Sequence, residues 1–382
     1  MPIFDVLMGT NTLTDHQILS LISEFMIDAE IASVKPFGTG HINDTYCIVN
    51  ADTDAHDYLL QRINHLVFKD VPLLMNNLVH VTDHLKEKLS QIPGADTDKA
   101  VLTIIRTRTG QSYFEDENGN CWRVFYFLKG TKSYDLVETE KQAFEGGKAF
   151  GRFQYLLSDL DTNLIGDTIP DFHHIGSRLA KLDRSIETDV TGRLGNALPE
   201  VDFIMERVDK MSGVLRQGQA GILPQRIVHN DTKFNNVLLD GSDQAQCVID
   251  LDTVMPGYVA YDFGDSVRTI INTAAEDEAD TNLISLNIPL FEAYTKGYLR
   301  EATRFLTAAE VKSLIKGVLL LPYIQAVRFL TDYIDGDIYF KIHSPEHNLQ
   351  RARAQLALVK KLEENEELLN RIILDTWQGY KQ

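Results

Sequence analysis

The chain has 382 residues, 44% hydrophobic and 24% charged, with a net charge of −18. That length and composition suit a globular protein with more than one core and exclude a fibrous or disordered chain. The acidic balance argues against a nucleic-acid partner, because affinity for a phosphate backbone needs clustered Lys and Arg. Cys47, Cys121 and Cys247 stand far apart with no CxxC spacing, and read as reduced core residues of a cytoplasmic protein. The opening MPIFDVLMGTNTLTD lacks a basic segment leading into a long apolar one, so no signal peptide is expected. The most apolar run, 314–330, carries Lys316, Pro322 and Arg328 and is short for a span, so no membrane partner is expected.

Thr14 and Asp15 precede apolar residues at Ile18, Leu21, Ile22, Phe25 and Met26, which predicts an amphipathic helix. Strands follow at 31–37 and 44–50. Between them Gly38-Thr39-Gly40-His41-Ile42-Asn43 is a glycine turn whose backbone N–H groups can fold over phosphates. Gly38 and Gly40 are the candidate phosphate contacts. His41 and Asn43 can reach a ligand beneath the turn, and Asn43 equally suits a turn cap. The strand at 58–63 contains Gln61 and Arg62, and the helix expected at 71–89 has no acid before Asp83. Strands at 101–106 and 121–128 flank a turn at 115–120, and Phe127-Leu128-Lys129-Gly130 leads out of the last one. From Glu138 the spacing turns helical, with helices expected at 141–157, 171–183 and 201–217.

The stretch 226–252, RIVHNDTKFNNVLLDGSDQAQCVIDLD, carries the chemistry. Strands at 237–239 and 247–249, joined through Asp240-Gly241-Ser242-Asp243, bring Asp231 and Asn236 back towards Asp250. A carboxylate beside an Asn/Asp pair of hard oxygen donors is what phosphoryl transfer from a metal-bound nucleotide requires. Asp231 fits the base that accepts a hydroxyl proton, and Asn236 and Asp250 fit magnesium ligands. Asp252, on the same strand face as Asp250, is a candidate for a second metal or its water. Lys233 can neutralise charge on the transferred group, and His229 is expected to brace the loop. Asp262-Phe263-Gly264 has the letters of a kinase metal motif, but Asp262 lies too far from Asp231 for a short hairpin. Its expected part is to cap a helix starting at Phe263 and to accept backbone N–H bonds near the loop.

Helices are expected again at 288–300, 307–333 and 345–377, the last opened by Ser344 and Pro345. Arg328 stands among apolar helix positions, so it either pairs with Asp332 or Asp335 or lines a pocket. Tyr339 follows one turn signal later and can form the opposite wall.

HNDTKFNNVLLD followed by VIDLDTVMPG resembles the catalytic segment of the aminoglycoside phosphotransferase and choline kinase superfamily. With YDFGDSVR, FGTGHINDTY and DGDIYF…PEHN, the set is similar more narrowly to the bacterial N-acetylhexosamine 1-kinases. The resemblance implies an α+β, two-lobed protein-kinase-like fold. A small antiparallel-sheet lobe over 1–129 would bind nucleotide, and a larger, mainly helical lobe over 130–382 would hold the catalytic and substrate sites. It implies ATP with Mg2+ in the cleft, and a sugar, GlcNAc or GalNAc, phosphorylated on its anomeric hydroxyl. His41, Arg328, Tyr339 and spare oxygens of Asp231 and Asp250 become the candidate sugar contacts.

Phe127 and Leu128 would then form the hinge that meets the adenine edge. A kinase of this shape carries a lysine for the α- and β-phosphates on the strand at 58–63. None is there, and Gln61 takes its place as a candidate nucleotide contact. Kinases for choline, homoserine or aminoglycosides would keep the same catalytic residues and change the pocket, although Arg328 opposes a cationic substrate. A non-catalytic nucleotide-binding module, suggested by the missing lysine, would have no need of Asp231.

Overall fold

The structure is a computed structural model that describes residues 13–38 and 43–381. Helix α1 (Asp15–Ser23) starts where its spacing places it, with Thr14 and Gln17 forming a capping box. The strands β1 (Ile31–Pro36), β2 (Asp44–Asn50), β3 (Tyr58–Ile63), β4 (Ile104–Ile105), β5 (Phe114–Glu115) and β6 (Cys121–Tyr126) form one antiparallel sheet. Its order is β1-β2-β3-β6-β4, with β5 also on β6. Alternation along the strands gives the sheet two faces. Leu60, Trp122 and Val124 pack with Ile18, Ile22 and Phe25 around α1. Ile63, Cys121 and Phe125 turn the other way, onto α2 (Val71–Ser90).

That second core is shared between lobes: Leu74, Leu78, Val81 and Leu85 of α2 join a cluster with Phe153, Leu156, Ile227 and Leu251. The larger lobe begins with α3 (Glu140–Leu156), capped by Thr139 and Gln142, and α4 (Ile175–Thr188). Two short ribbons follow. β7 (Arg226–Val228) pairs with β10 (Met255–Gly257), and β8 (Val237–Leu239) pairs with β9 (Ala245–Val248). The rest is helical: α5 (Val259–Ile271), α6 (Ile288–Ala302), α7 (Ala308–Asp335), α8 (His347–Glu364) and α9 (Glu366–Lys381). α7 is long and apolar enough to cross a membrane, but most of its apolar stretch is buried inside the lobe. It packs against α5 so closely that a Cβ on Gly264 would lie 2.2 Å from the Gly317 carbonyl oxygen.

Several boundaries differ from the sequence expectation, each for a local reason. Asp171 adopts φ 58 and turns the chain, so α4 starts at Ile175, with the His174 ring accepting the Ser177 N–H. The helix expected at 201–217 is three segments, Leu198–Met205, Val208–Met211 and Gly213–Gln219. The Ser212 hydroxyl at the second break donates to Val208 O, competing with the helical ladder. The last expected helix opens at His347 with Glu346 at its cap rather than Ser344. It breaks at Asn365, whose side chain donates to Lys361 O. The strand expected at 101–106 shrinks to β4, because α1's neighbour Phe25 bridges Thr107 instead and Val101 caps a short helical turn.

Candidate active site

β7 delivers the chain into the loop 229–233, and α5 holds that loop from behind. The buried carboxylate of Asp262 accepts the backbone N–H groups of His229 and Asn230 at 2.8 and 2.7 Å, and Gln154 donates to it at 2.7 Å. Thr232 N–H donates to Asp265 at 3.0 Å, and the Thr232 hydroxyl to Asp262 O at 2.6 Å. Asp262 thus binds backbone N–H groups of the loop as expected. It does so from the first turn of a helix that starts at Val259, so the expected capping of a helix at Phe263 is corrected. The His229 ring donates to Ile249 O at 2.9 Å and packs edge-on against Phe150 and Phe153, bracing the loop.

Held this way, Asp231 lies between Lys233 and Asn236. Lys233 Nζ is 3.0 Å from Asp231 Oδ1. Asn236 Nδ2 donates to the Asp231 carbonyl at 2.8 Å and to its Oδ2 at 3.3 Å, which leaves the Asn236 amide oxygen for a cation. Burial alone would raise the Asp231 pKa, but the Lys233 ammonium, with His229 and Arg268, holds it below the usual carboxylate value. Asp231 therefore stays ionised, and the same attraction raises the Lys233 pKa.

The β8–β9 ribbon brings Asp250 to this group, because Ile249 N–H donates to Asn236 O at 2.9 Å. Asp250 sits in the left-handed region at φ 59, which Asp tolerates better than most residues. Although the Asp250 residue is solvent-accessible, desolvation by the surrounding protein, then the carboxylates of Asp252 and Asp231, push its pKa up to about 7. Among the described residues its carboxylate makes no hydrogen bond. No cluster of three His, Cys, Asp or Glu side chains among them could hold a metal alone. An Asn oxygen and an unpartnered, electrostatically crowded carboxylate fit a hard cation that completes its shell with phosphate oxygens and water, as magnesium does.

Asp252 does not join that pair. Arg123 Nη1 and Nη2 donate to its two oxygens at 2.5 and 2.9 Å, and Asn43 Nδ2 adds a bond at 2.8 Å. The expected part as a second metal ligand is corrected: a guanidinium occupies its carboxylate. Gln61, the residue in the lysine position, accepts from Arg123 Nε and Nη2 at 3.0 and 2.9 Å. Arg123 was missed in the sequence, although a lone charge inside the apolar strand CWRVFY was a usable signal, since a buried charge must be paired.

At the hinge, Phe127 N–H donates to Asp57 O at 2.8 Å, so that N–H is not available to an adenine edge. Its ring meets Phe37 edge-on at 5.2 Å instead, and Leu128 is the hinge position that follows. Gly38 has φ 81, a conformation that favours glycine. Gly40 and His41 lie outside the described residues.

Arg328 and Tyr339 meet in one pocket of about 180 Å³, walled also by Ile169, Phe172, Arg178 and Phe340. That is roughly twelve times the room one water needs. The Arg328 guanidinium lies 5.9 Å from the Phe172 and Tyr339 rings and donates to Gln325 at 3.1 Å. Neither acid takes it as an ion-pair partner. Asp332 accepts the backbone N–H groups of Ile338, Tyr339 and Phe340, which fixes the Tyr339 wall, and Asp335 lies 3.9 Å from Lys181. The pocket joins the catalytic loop through His173, next to Phe172, whose Nε2 donates to Asn230 O at 2.9 Å. Arg178 was not singled out from the sequence, because an Arg on an amphipathic helix looks like solvated surface. Burial, then the charge of Arg328, pulls its pKa down to about 10, so the Arg178 guanidinium remains charged at neutral pH.

A small sheet lobe over a helical lobe, with the Asp231 carboxylate beside Asn236 and Asp250 in the cleft between, defines a protein-kinase-like architecture. The chain belongs to the phosphotransferase enzyme family, which matches residues 33–304. Solved structures share the fold. An aminoglycoside phosphotransferase from Alicyclobacillus acidocaldarius is similar at TM-score 0.58 and 11% identity, over 96% of this chain and 99% of that one. A choline kinase from Cryptosporidium parvum aligns at 0.58 and 14%, over 97% and 100%. An amicoumacin kinase in complex with AMP-PNP, Ca2+ and Ami aligns at 0.59 and 14%, over 91% and 94%.

Proposed function

We propose that the protein is an ATP- and magnesium-dependent kinase that phosphorylates the anomeric hydroxyl of a free N-acetylhexosamine to the sugar 1-phosphate. The observation that carries this reading is the pocket walled by Arg328 and Tyr339, tied through His173 to the residue preceding Asp231. The nucleotide takes the sheet-lobe side, residues 1–129, and the sugar takes the helical side, residues 130–382. In support of the nucleotide, the amicoumacin kinase of the same fold was solved with an ATP analogue and a divalent cation.

Asp231, ionised and held by the Lys233 ammonium, orients the sugar hydroxyl and accepts its proton as the oxygen bonds to the γ-phosphorus. The bond from that phosphorus to the bridging oxygen of ADP breaks in the same displacement. Lys233 offsets charge on the moving phosphoryl group. Magnesium held by Asn236 and Asp250 would draw charge from the phosphate oxygens. The anomeric hydroxyl is more acidic than other sugar hydroxyls, so a carboxylate base with a low pKa has less to do there.

The neighbours include kinases for aminoglycosides, choline and aminopropanol. Arg178 and Arg328 oppose substrates carrying positive charge, since a like charge in a desolvated wall is costly. A neutral, oxygen-rich sugar uses the same guanidinium groups as donors. A non-catalytic module is disfavoured by the ionised Asp231 beside Lys233, which nucleotide binding alone does not call for. An ATP-consumption screen over free sugars, N-acetylated sugars, choline and homoserine tests the reading, with phosphorus NMR of the product. Turnover of N-acetylhexosamine to a 1-phosphate is expected. A phosphate on C6, or turnover of choline or homoserine alone, refutes it.

A further inference from the structure

The strand position suited to a phosphate-binding lysine holds Gln61, but a cation is present one strand away. Gln61 and Arg123 are direct partners in the β3–β6 register. Partners of that kind project from the same face with Cβ atoms about 5 Å apart. Arg123 has five N–H groups. One from Nε and one from Nη2 go to Gln61 Oε1, and one each from Nη1 and Nη2 go to the Asp252 oxygens. One N–H of Nη1 is left over. Asp252 Oδ2 also accepts from Asn43, whose own Oδ1 accepts the Asn64 N–H at 3.0 Å.

One guanidinium therefore joins the floor of the sheet, the residue that ends the glycine turn, and the turn that carries Asp250 two residues upstream. The Arg123 and Asp252 side chains are each only 3% exposed. Stability does not explain a charged pair here, because apolar residues of similar volume usually hold such a position as well or better. What apolar residues cannot supply is a fixed fork that sets two backbone segments against each other. Asp250, in a left-handed conformation with no side-chain bond of its own among the described residues, depends on its neighbours for that.

We propose that Arg123 is the positioning residue for the nucleotide phosphates. With Gln61 it does from β6 what a lysine does from β3, locking the Asp250 turn and the exit of the glycine turn on the same side of the phosphate site. The proposal rests on the cleft being a nucleotide site, and is independent of which alcohol is phosphorylated.

The test uses ADP as the probe, so that it reads nucleotide binding without an acceptor. Calorimetry of ADP with and without Mg2+, the KM for ATP and the melting temperature are measured for Arg123→Gln and for the double variant Gln61→Lys/Arg123→Gln, which moves the cation back to β3. Arg123→Gln is expected to weaken ADP binding roughly tenfold and to raise the KM for ATP similarly, the loss of a bidentate charge-assisted anchor. The double variant is expected to recover most of that loss. Unchanged ADP affinity in Arg123→Gln, even with a lowered melting temperature, overturns the proposal, as does a double variant no better than the single one. If Arg123→Gln does not fold, Arg123→Lys replaces it: a point charge cannot span Gln61 and both Asp252 oxygens, so ADP affinity should still fall about threefold. Wild-type affinity in Arg123→Lys overturns the proposal.

Discussion

Asp262 accepts the backbone N–H groups of both His229 and Asn230, so the loop bearing Asp231 hangs from the first turn of α5. Removing that carboxylate takes the acceptor from three buried donors, the two N–H groups and Gln154 Nε2. Asp262→Ala is therefore expected to cost about 3 kcal/mol of stability, read as a lower urea midpoint. Asp250→Ala should keep the midpoint near wild type and lose metal-dependent turnover. A stable Asp262→Ala that no longer binds metal would reverse the two assignments.

Asp231→Asn removes the carboxylate assigned as base in the proposed reaction while keeping the shape of the loop. Turnover should fall by roughly 10²–10⁴-fold, with ADP affinity near wild type. Half of the wild-type rate surviving would take Asp231 out of the chemistry.

His173 is buried between the pocket and the loop, and burial, against the pull of Asp265, lowers its pKa to about 4. An unfolded histidine titrates near about 6.5. Between those values the unfolded chain binds the proton and the folded one does not. The neutral ring's contribution is thus complete above the unfolded pKa and is lost as pH falls towards 4, by about 1.4 kcal/mol per pH unit. Urea unfolding from pH 7 to 4.5 should show this slope in the wild type. His173→Gln, which can still donate to Asn230 O, should reduce the slope by about one proton.

Arg328→Ala removes a pocket wall on the side away from the nucleotide. The KM for sugar should rise by more than about tenfold while the KM for ATP changes little, the pattern of a lost substrate contact. Equal effects on both constants would show that Arg328 acts through the fold.

Gly317→Ala tests the crossing of α5 and α7, because its Cβ would lie 1.9 Å from Ala260 O. Neither backbone can move without disturbing Asp262, two residues along α5 from Ala260. A loss of at least about 2 kcal/mol is expected by chemical denaturation, whereas a neutral substitution would mean the helices are not in backbone contact.

Part of the site was legible because it is local. Asp231, Lys233 and Asn236 lie within six residues, and the β8–β9 ribbon that returns the chain to Asp250 is built from adjacent segments with a polar turn between them. Thr14 announced its helix for the same reason, since a capping box is satisfied within four residues, and the structure shows the same box at Thr139 and Thr307. The helix breaks at Ser212 and Asn365 were less legible, because a side chain and the backbone compete there for the same carbonyl.

The sequence by itself determined the two-lobed α+β class and the local geometry that brings Asp231, Asn236 and Asp250 together, all specified by neighbours along the chain. Only the tertiary structure decided what Asp252, Arg123, Arg178 and His173 do. Asp252 and Arg123 are far apart in sequence and meet only when the sheet closes over the β8–β9 ribbon. Arg178 and Arg328 share a pocket because α4 packs on α7, and His173 reaches Asn230 across a gap that no periodicity records. A charged side chain carries its chemistry in its type, but its role is set by the partner that removes it from water, and that partner is chosen by the packing of whole elements.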